Sequence, residues 1–129
     1  MNLELCLLAW SVVLLALHIA AQSGLAAPIK GAAWNVGPRD EGRPPLGKYA
    51  GRAQRALDNF KETYPAFIAL AVVLSLTGKT DGNGALGAEL WFGARIVYLP
   101  LYLAGVPYLR TAAYGVSLVG LVMMFLRVL

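Results

Sequence analysis

Arg52, Arg55, Asn59 and Glu62 are separated by three, four and three residues. At about 100° per residue they fall within an arc of about 80°, one stripe along a helix. Lys61 points nearly opposite, and Asp58 sits at the edge of the stripe. A second set, Arg95, Tyr98 and Tyr102, is spaced three and four and shares a face in the same way. Guanidinium groups grip carboxylates through paired N–H bonds. Glu62 can take an ammonium group, Asn59 can serve either polarity, and the Tyr hydroxyls can donate to whatever lies between the helices. A structural alternative is that Glu62 ion-pairs with Arg55 or Arg95 and ties helices together. Two Arg residues and an Asn exceed what one carboxylate needs, and buried surplus charge is costly unless matched. The stripe therefore calls for a small zwitterionic ligand with surplus negative charge.

The elements that must hold these residues follow from the composition. The chain has 129 residues, of which 58% are apolar and 14% charged, against about 25% charged in an ordinary soluble domain. Mean hydropathy is +0.60. These values exclude a disordered chain and a free-standing nucleic-acid module, so no nucleic-acid partner is expected, and they indicate an integral membrane protein. A single domain over 1–129 is expected. The lone Cys6 excludes a disulfide framework, and no Cys/His cluster offers a metal site. A helical span needs roughly 20 mostly apolar residues, and the apolar runs predict helices over 3–22, 51–77, 86–105 and 107–129. The fold class is all-α, an antiparallel up-and-down membrane four-helix bundle with a cytoplasmic loop over 26–50. The segment 77–87 (TGKTDGNGALG) breaks helices, and AGVP at 104–107 makes a tight turn. Glu4, with no Lys or Arg before Leu5, argues against a cleaved leader.

Lys30, Arg39, Arg43, Lys48, Arg52, Arg55 and Arg110 collect on one side, against Lys79 and Arg127 on the other. Positive loops face the cytoplasm, so both termini are expected on the non-cytoplasmic side, and the short loops lean towards a bacterial inner membrane. Trp34, Tyr49, Trp91 and Tyr108 fall near expected interfaces. His18 is expected to donate a hydrogen bond to another helix, and Cys6 to fill space.

The segment 51–65, GRAQRALDNFKETYP, resembles the signature of the MAPEG family, the membrane-associated proteins in eicosanoid and glutathione metabolism. The family's Arg, Arg–Ala, Asn, Glu and Pro match Arg52, Arg55–Ala56, Asn59, Glu62 and Pro65. Its third-helix Arg with Tyr three and seven residues later matches Arg95, Tyr98 and Tyr102. The resemblance implies a homotrimer that binds glutathione at subunit interfaces. It assigns the tripeptide to Arg52, Arg55, Asn59, Glu62, Arg95, Tyr98 and Tyr102, with Lys30 contributed by a neighbouring subunit. It further implies that Arg110 or Arg95 stabilises the glutathione thiolate, since adjacent positive charge favours ionisation of a thiol. That thiolate would attack an apolar, lipid-like electrophile or hydroperoxide arriving from the bilayer lipids. Leu57 and Thr63 stand where the leukotriene synthase branch carries Gln and Tyr, which implies a looser pocket or a different second substrate. The rival expectation is a non-catalytic lipid-binding or scaffold member of the family. An ion or solute conduit ranks last, because the polar stripes stop near Glu62 and Tyr102.

Overall fold

In the computed structural model, residues 1–30 and 47–129 are described, without the side chains of residues 29 and 30. They form α1 (Leu3–Lys30), α2 (Gly47–Leu76), α3 (Gly82–Ala104) and α4 (Pro107–Val128), with no strand among the described residues. Most of the expected loop lies outside them.

The helices extend beyond the lengths that apolar runs suggest. Past the expected end at 22, α1 continues to Lys30, carried by Leu25, Ala26 and Ala27, which propagate a helix well. Pro28 lies in the last turn of α1, where it interrupts little of the hydrogen-bond ladder. Likewise α3 starts at Gly82 and not at 86, although Gly82, Gly84 and Gly87 all disfavour helix. Gly82 takes a left-handed φ of 59°, whereas the use of Gly84 and Gly87 is spatial. A Cβ on Gly120 of α4 would lie 2.8 Å from the backbone nitrogen of Trp91 and closer still to the Gly87 carbonyl oxygen. A Cβ on Gly87 would meet Met123 Cβ at 3.0 Å. The backbones of α3 and α4 therefore touch, and this is the most extensive helix pair in the fold. Lipid chains are as apolar as Leu, so helices in a bilayer associate through such close approach more than through hydrophobic burial.

An aromatic column joins the remaining helices. Trp91 of α3 is fully buried and stacks on Phe67 of α2 at 4.0 Å, with Tyr64 and Phe60 beside it. The Tyr64 hydroxyl lies 2.8 Å from Ser11 Oγ on α1, so the polar end of the ring is satisfied across helices. Trp91 is thus a core residue and not the interfacial anchor expected of it, whereas Tyr49 and Tyr108 are exposed. His18 also departs from expectation. Its Nδ1 lies 2.9 Å from the Leu14 carbonyl of its own helix, and its ring stacks on Phe60 at 4.5 Å. A carbonyl four residues back is the nearest acceptor, and it outcompetes any on another helix.

Contacts near the chain termini close the other end. Asn2 Nδ2 donates to Ser75 Oγ at 3.2 Å. The buried Glu4 carboxylate accepts the backbone N–H of Asp81 at 2.9 Å. Asp81 has φ of 70°, a conformation that costs a non-glycine residue energy and that this carboxylate helps hold.

Leu3–Pro28 and Pro107–Val128 are each long and apolar enough to cross a membrane, with mean hydropathy 2.2 and 1.7 in their best windows. By contrast, α2 carries its charges in its first half and α3 carries Arg95, so neither meets that measure unaided.

Gly120→Ala separates steric from propensity effects. Helix propensity alone favours Ala by about 1 kcal/mol, but contact with α3 should reverse the sign and destabilise by about 1–3 kcal/mol. Gly115→Ala, where nothing lies within 4 Å of the new methyl, should be neutral or stabilising. Thermal unfolding in detergent reads both signs.

Candidate functional site

The inner face of α3 places Trp91, Arg95 and Tyr98 in line, at helical spacings of four and three. Trp91 belongs to the aromatic column, and Arg95 lies one turn further on. Its guanidinium is completely buried. Nη1 donates to Asn59 Oδ1 at 2.7 Å, and Nη2 donates to Thr63 Oγ1 at 2.7 Å and more weakly to the Asn59 carbonyl at 3.5 Å. Aromatic rings surround the group, with its carbon 5.0 Å from the Tyr98 centroid, 5.4 Å from Tyr114 and 5.9 Å from Phe60. Ring faces carry negative quadrupole density, which suits a cation held away from water.

None of these partners is a carboxylate. The simple ion-pair reading of the stripe is therefore not how Arg95 is held. Its positive charge is solvated by an amide, a hydroxyl and ring faces, all neutral, so the charge itself survives at the site. Its Nε remains without a partner among the described residues.

The clamp also orients Asn59. A guanidinium has only donors, so the amide oxygen must face Arg95 and the Nδ2 group must face away. Either polarity was open to Asn59 from its spacing. In the fold its free end donates, which favours an acceptor such as a carboxylate.

The rest of the stripe divides. Arg52 is half-buried, and its Nη1 donates to the Leu103 carbonyl at 3.1 Å near the end of α3. It lies against Gly105, where a Cβ would come within 2.6 Å of the guanidinium, and Gly105 itself takes a left-handed φ of 75°. This contact closes the α3–α4 turn, a task beyond ligand binding. Arg55 and Glu62 are exposed on this single chain. Arg55 folds back along its own helix towards Gly51, where a Cβ would be 3.2 Å from its Nη1. Asp58 accepts from Gln54 Nε2 at 2.9 Å and takes no part in the cluster. Lys30 ends α1, and its side chain is outside the described residues.

Tyr98 is buried, with Tyr102 edge-on to it at 5.5 Å. Arg110 of α4 is half-buried with its guanidinium carbon 4.7 Å from the centroid of the Tyr102 ring. Two cationic groups, Arg95 and Arg110, thus flank the Tyr98–Tyr102 pair.

Spacing did not single out Tyr114 or assign Thr63 to this cluster. Thr63 lies four residues after Asn59, so helical periodicity carries a signal for it. Tyr114 reaches the cluster from α4, and only the helix packing brings it there.

Among the described residues, an apolar groove of about 570 Å³ also runs between α1 and α3. Trp10, Leu14, Leu17, Phe92, Ile96 and Leu99 are in its walls.

The family model described as MAPEG family matches residues 7–129. No curated protein and no solved structure matches the chain.

Removing one partner of Arg95 leaves a charged donor buried and unpaired. Thr63→Val should cost about 1–2 kcal/mol and Asn59→Leu about 2–3 kcal/mol, within the range for hydrogen bonds to charged groups. Unfolding free energies in detergent within about 0.5 kcal/mol of the parent, the scatter of an uninvolved surface site, would show that the clamp is not stabilising.

Proposed function

The chain belongs to the MAPEG family, and on that premise we propose that it is a glutathione-binding membrane enzyme of transferase or peroxidase type. The observation that carries this reading is positive charge that no carboxylate hydrogen-bonds among the described residues. Arg95 is held by neutral groups, Asn59 turns its donor end outward, and Arg55 is hydrogen-bonded to no side chain of the described residues. A tripeptide with two carboxylates and one ammonium matches that set. Arg55, Arg52 and the Asn59 amide would take the carboxylates, Glu62 the ammonium, and Tyr98 and Tyr102 the peptide groups.

The chemistry requires no nucleophile from the protein, because glutathione supplies its own thiol. Arg110, with Arg95 behind the tyrosines, would stabilise the thiolate by proximity of charge. Bound there, glutathione would supply the nucleophile for an apolar electrophile reaching it laterally from the lipid, with displacement of a leaving group or opening of a ring, or for a hydroperoxide, with cleavage of the O–O bond and release of an alcohol.

A homotrimer of antiparallel bundles, each crossing the membrane four times, completes this proposal. Arg55, Asp58, Lys61 and Glu62 are all exposed on α2 of one chain. Charges at membrane depth are expensive against lipid and are normally covered by protein. A second copy covering α2 would remove that cost and enclose the ligand between subunits, and Lys30 would come from that neighbour. The Lys/Arg distribution supports a cytoplasmic site with both termini outside, and we place the protein in a bacterial inner membrane.

The apolar groove between α1 and α3 favours a second reading, a non-catalytic member that binds or presents lipid. Glutathione titration separates the two. Adding glutathione to the detergent-purified protein should produce thiolate absorbance. Arg110→Ala should abolish that absorbance with binding retained. Arg55→Ala should weaken binding roughly tenfold or more, the loss expected of a charged hydrogen-bonded pair. A folded protein that binds no glutathione would overturn the enzyme reading, and chemical cross-linking that yields no trimer would overturn the assembly.

A further inference from the structure

The ends of α2 and α4 carry a second basic feature, remote from Arg95 in sequence and unused by the proposed chemistry. Lys79, just past α2, donates from Nζ to the Val128 carbonyl at 2.7 Å. Arg127 returns the contact, its Nε donating to the Lys79 carbonyl at 3.2 Å. The stem of Arg127 lies along α3 at Gly84, where a Cβ would come within 3.0 Å of its Cγ. Both cations are therefore anchored, one through its head and the other through its stem and Nε. Satisfying the last carbonyls of a helix is a sufficient account of Lys79. It is not sufficient for Arg127, whose two terminal nitrogens, with four N–H groups, bond to nothing among the described residues.

A groove of about 420 Å³ opens between these cations, and its other walls are Asn83, Met123, Leu126 and Leu129. Among the described residues, no Asp or Glu side chain lines it. The lining of the groove thus combines two kinds of chemistry. Lys79, Arg127 and the Asn83 amide offer donors and positive charge, while Met123 and Leu126 offer an apolar floor. That floor is continuous with an exposed ridge on α4, where Val119, Val122 and Leu126 are more than half exposed at spacings of three and four. This ridge belongs to one of the two helices apolar enough to cross a membrane. Charge complementarity thus selects an anionic head, and the ridge selects an acyl tail running into the bilayer. A free inorganic anion would satisfy the first and leave the second uncovered.

We propose that this groove binds an anionic phospholipid. Its phosphate sits between Lys79 Nζ and the terminal nitrogens of Arg127, and Asn83 donates to a headgroup or ester oxygen. One acyl chain lies along Leu126 and Val122.

The test uses the full chain purified in an uncharged detergent and loaded with phosphatidylglycerol or phosphatidylcholine. Lipid retention is read by native mass spectrometry, and the thermal midpoint is followed alongside. Phosphatidylglycerol should be retained preferentially and should raise the midpoint. Each basic residue near an anionic lipid surface contributes roughly fivefold in binding, so Lys79→Gln and Arg127→Gln should each reduce retention by about that factor. Asn83→Asp places a negative charge in the groove at an exposed position with no hydrogen bond of its own among the described residues, so the fold is spared. It should remove the preference for phosphatidylglycerol. Equal retention of the two lipids, or an undiminished preference in folded Asn83→Asp protein, would overturn the proposal. So would a midpoint shift reproduced by inorganic phosphate alone, which would make the groove a soluble-anion site. None of these readouts involves glutathione, so they stand apart from the catalytic reading.

Discussion

The guanidinium of Arg95, sunk in the middle of the bundle and hydrogen-bonded among the described residues to neutral groups, is the constraint on which the site is built. A cation removed from water must recover its lost solvation. It can do so with a carboxylate, which cancels the charge, or with dipoles and ring faces, which leave it in place. This protein takes the second route. Asn59 and Thr63 come from α2, Tyr98 from α3 itself and Tyr114 from α4. One side chain therefore requires three helices in register, and the Asn59 amide has its orientation imposed as a consequence.

That register depends in turn on how closely the backbones approach. Gly87 and Gly120 let α3 and α4 touch, and Gly84 makes room for the stem of Arg127. Gly84 and Gly87 weaken α3 as an isolated helix, so its first turns exist because of their neighbours. Trp91, stacked between elements one turn away from Arg95, sets the depth at which the guanidinium lies. Packing and polar site are thus successive turns of a single helix face, and a change in either displaces the other.

Basic residues in the bundle are put to different uses. Arg52 and Lys79 each give donors to helix-terminal carbonyls, which is structural work that cations near helix C-termini commonly do. Arg95 and Arg110 sit among tyrosines and retain their charge for other use. Arg127 stands between these cases, with one donor committed to the backbone and the rest facing a groove. Counting basic residues therefore says little about ligands until the partners of each are known.

Much of this was legible in the chain itself. Hydropathy and helical periodicity determine the helical class and place Arg95, Tyr98 and Tyr102 on one face. Motif spacing in 51–65 points to the family. Other features were decided by packing alone. The spacing of Arg52, Arg55, Asn59 and Glu62 makes them neighbours on a helix surface, but not equally buried, because burial depends on which helices cover that surface. So Asn59 meets Arg95 while Arg55 and Glu62 stay exposed on one chain. Trp91 reads as an interfacial anchor and proves to be core, since an indole ring suits either place and only the fit against Phe67 chooses. Tyr114 could not be assigned to the cluster at all. Its place depends on the crossing of α3 and α4, and that crossing depends on contact between two glycines far apart in sequence, which no periodicity along one helix encodes.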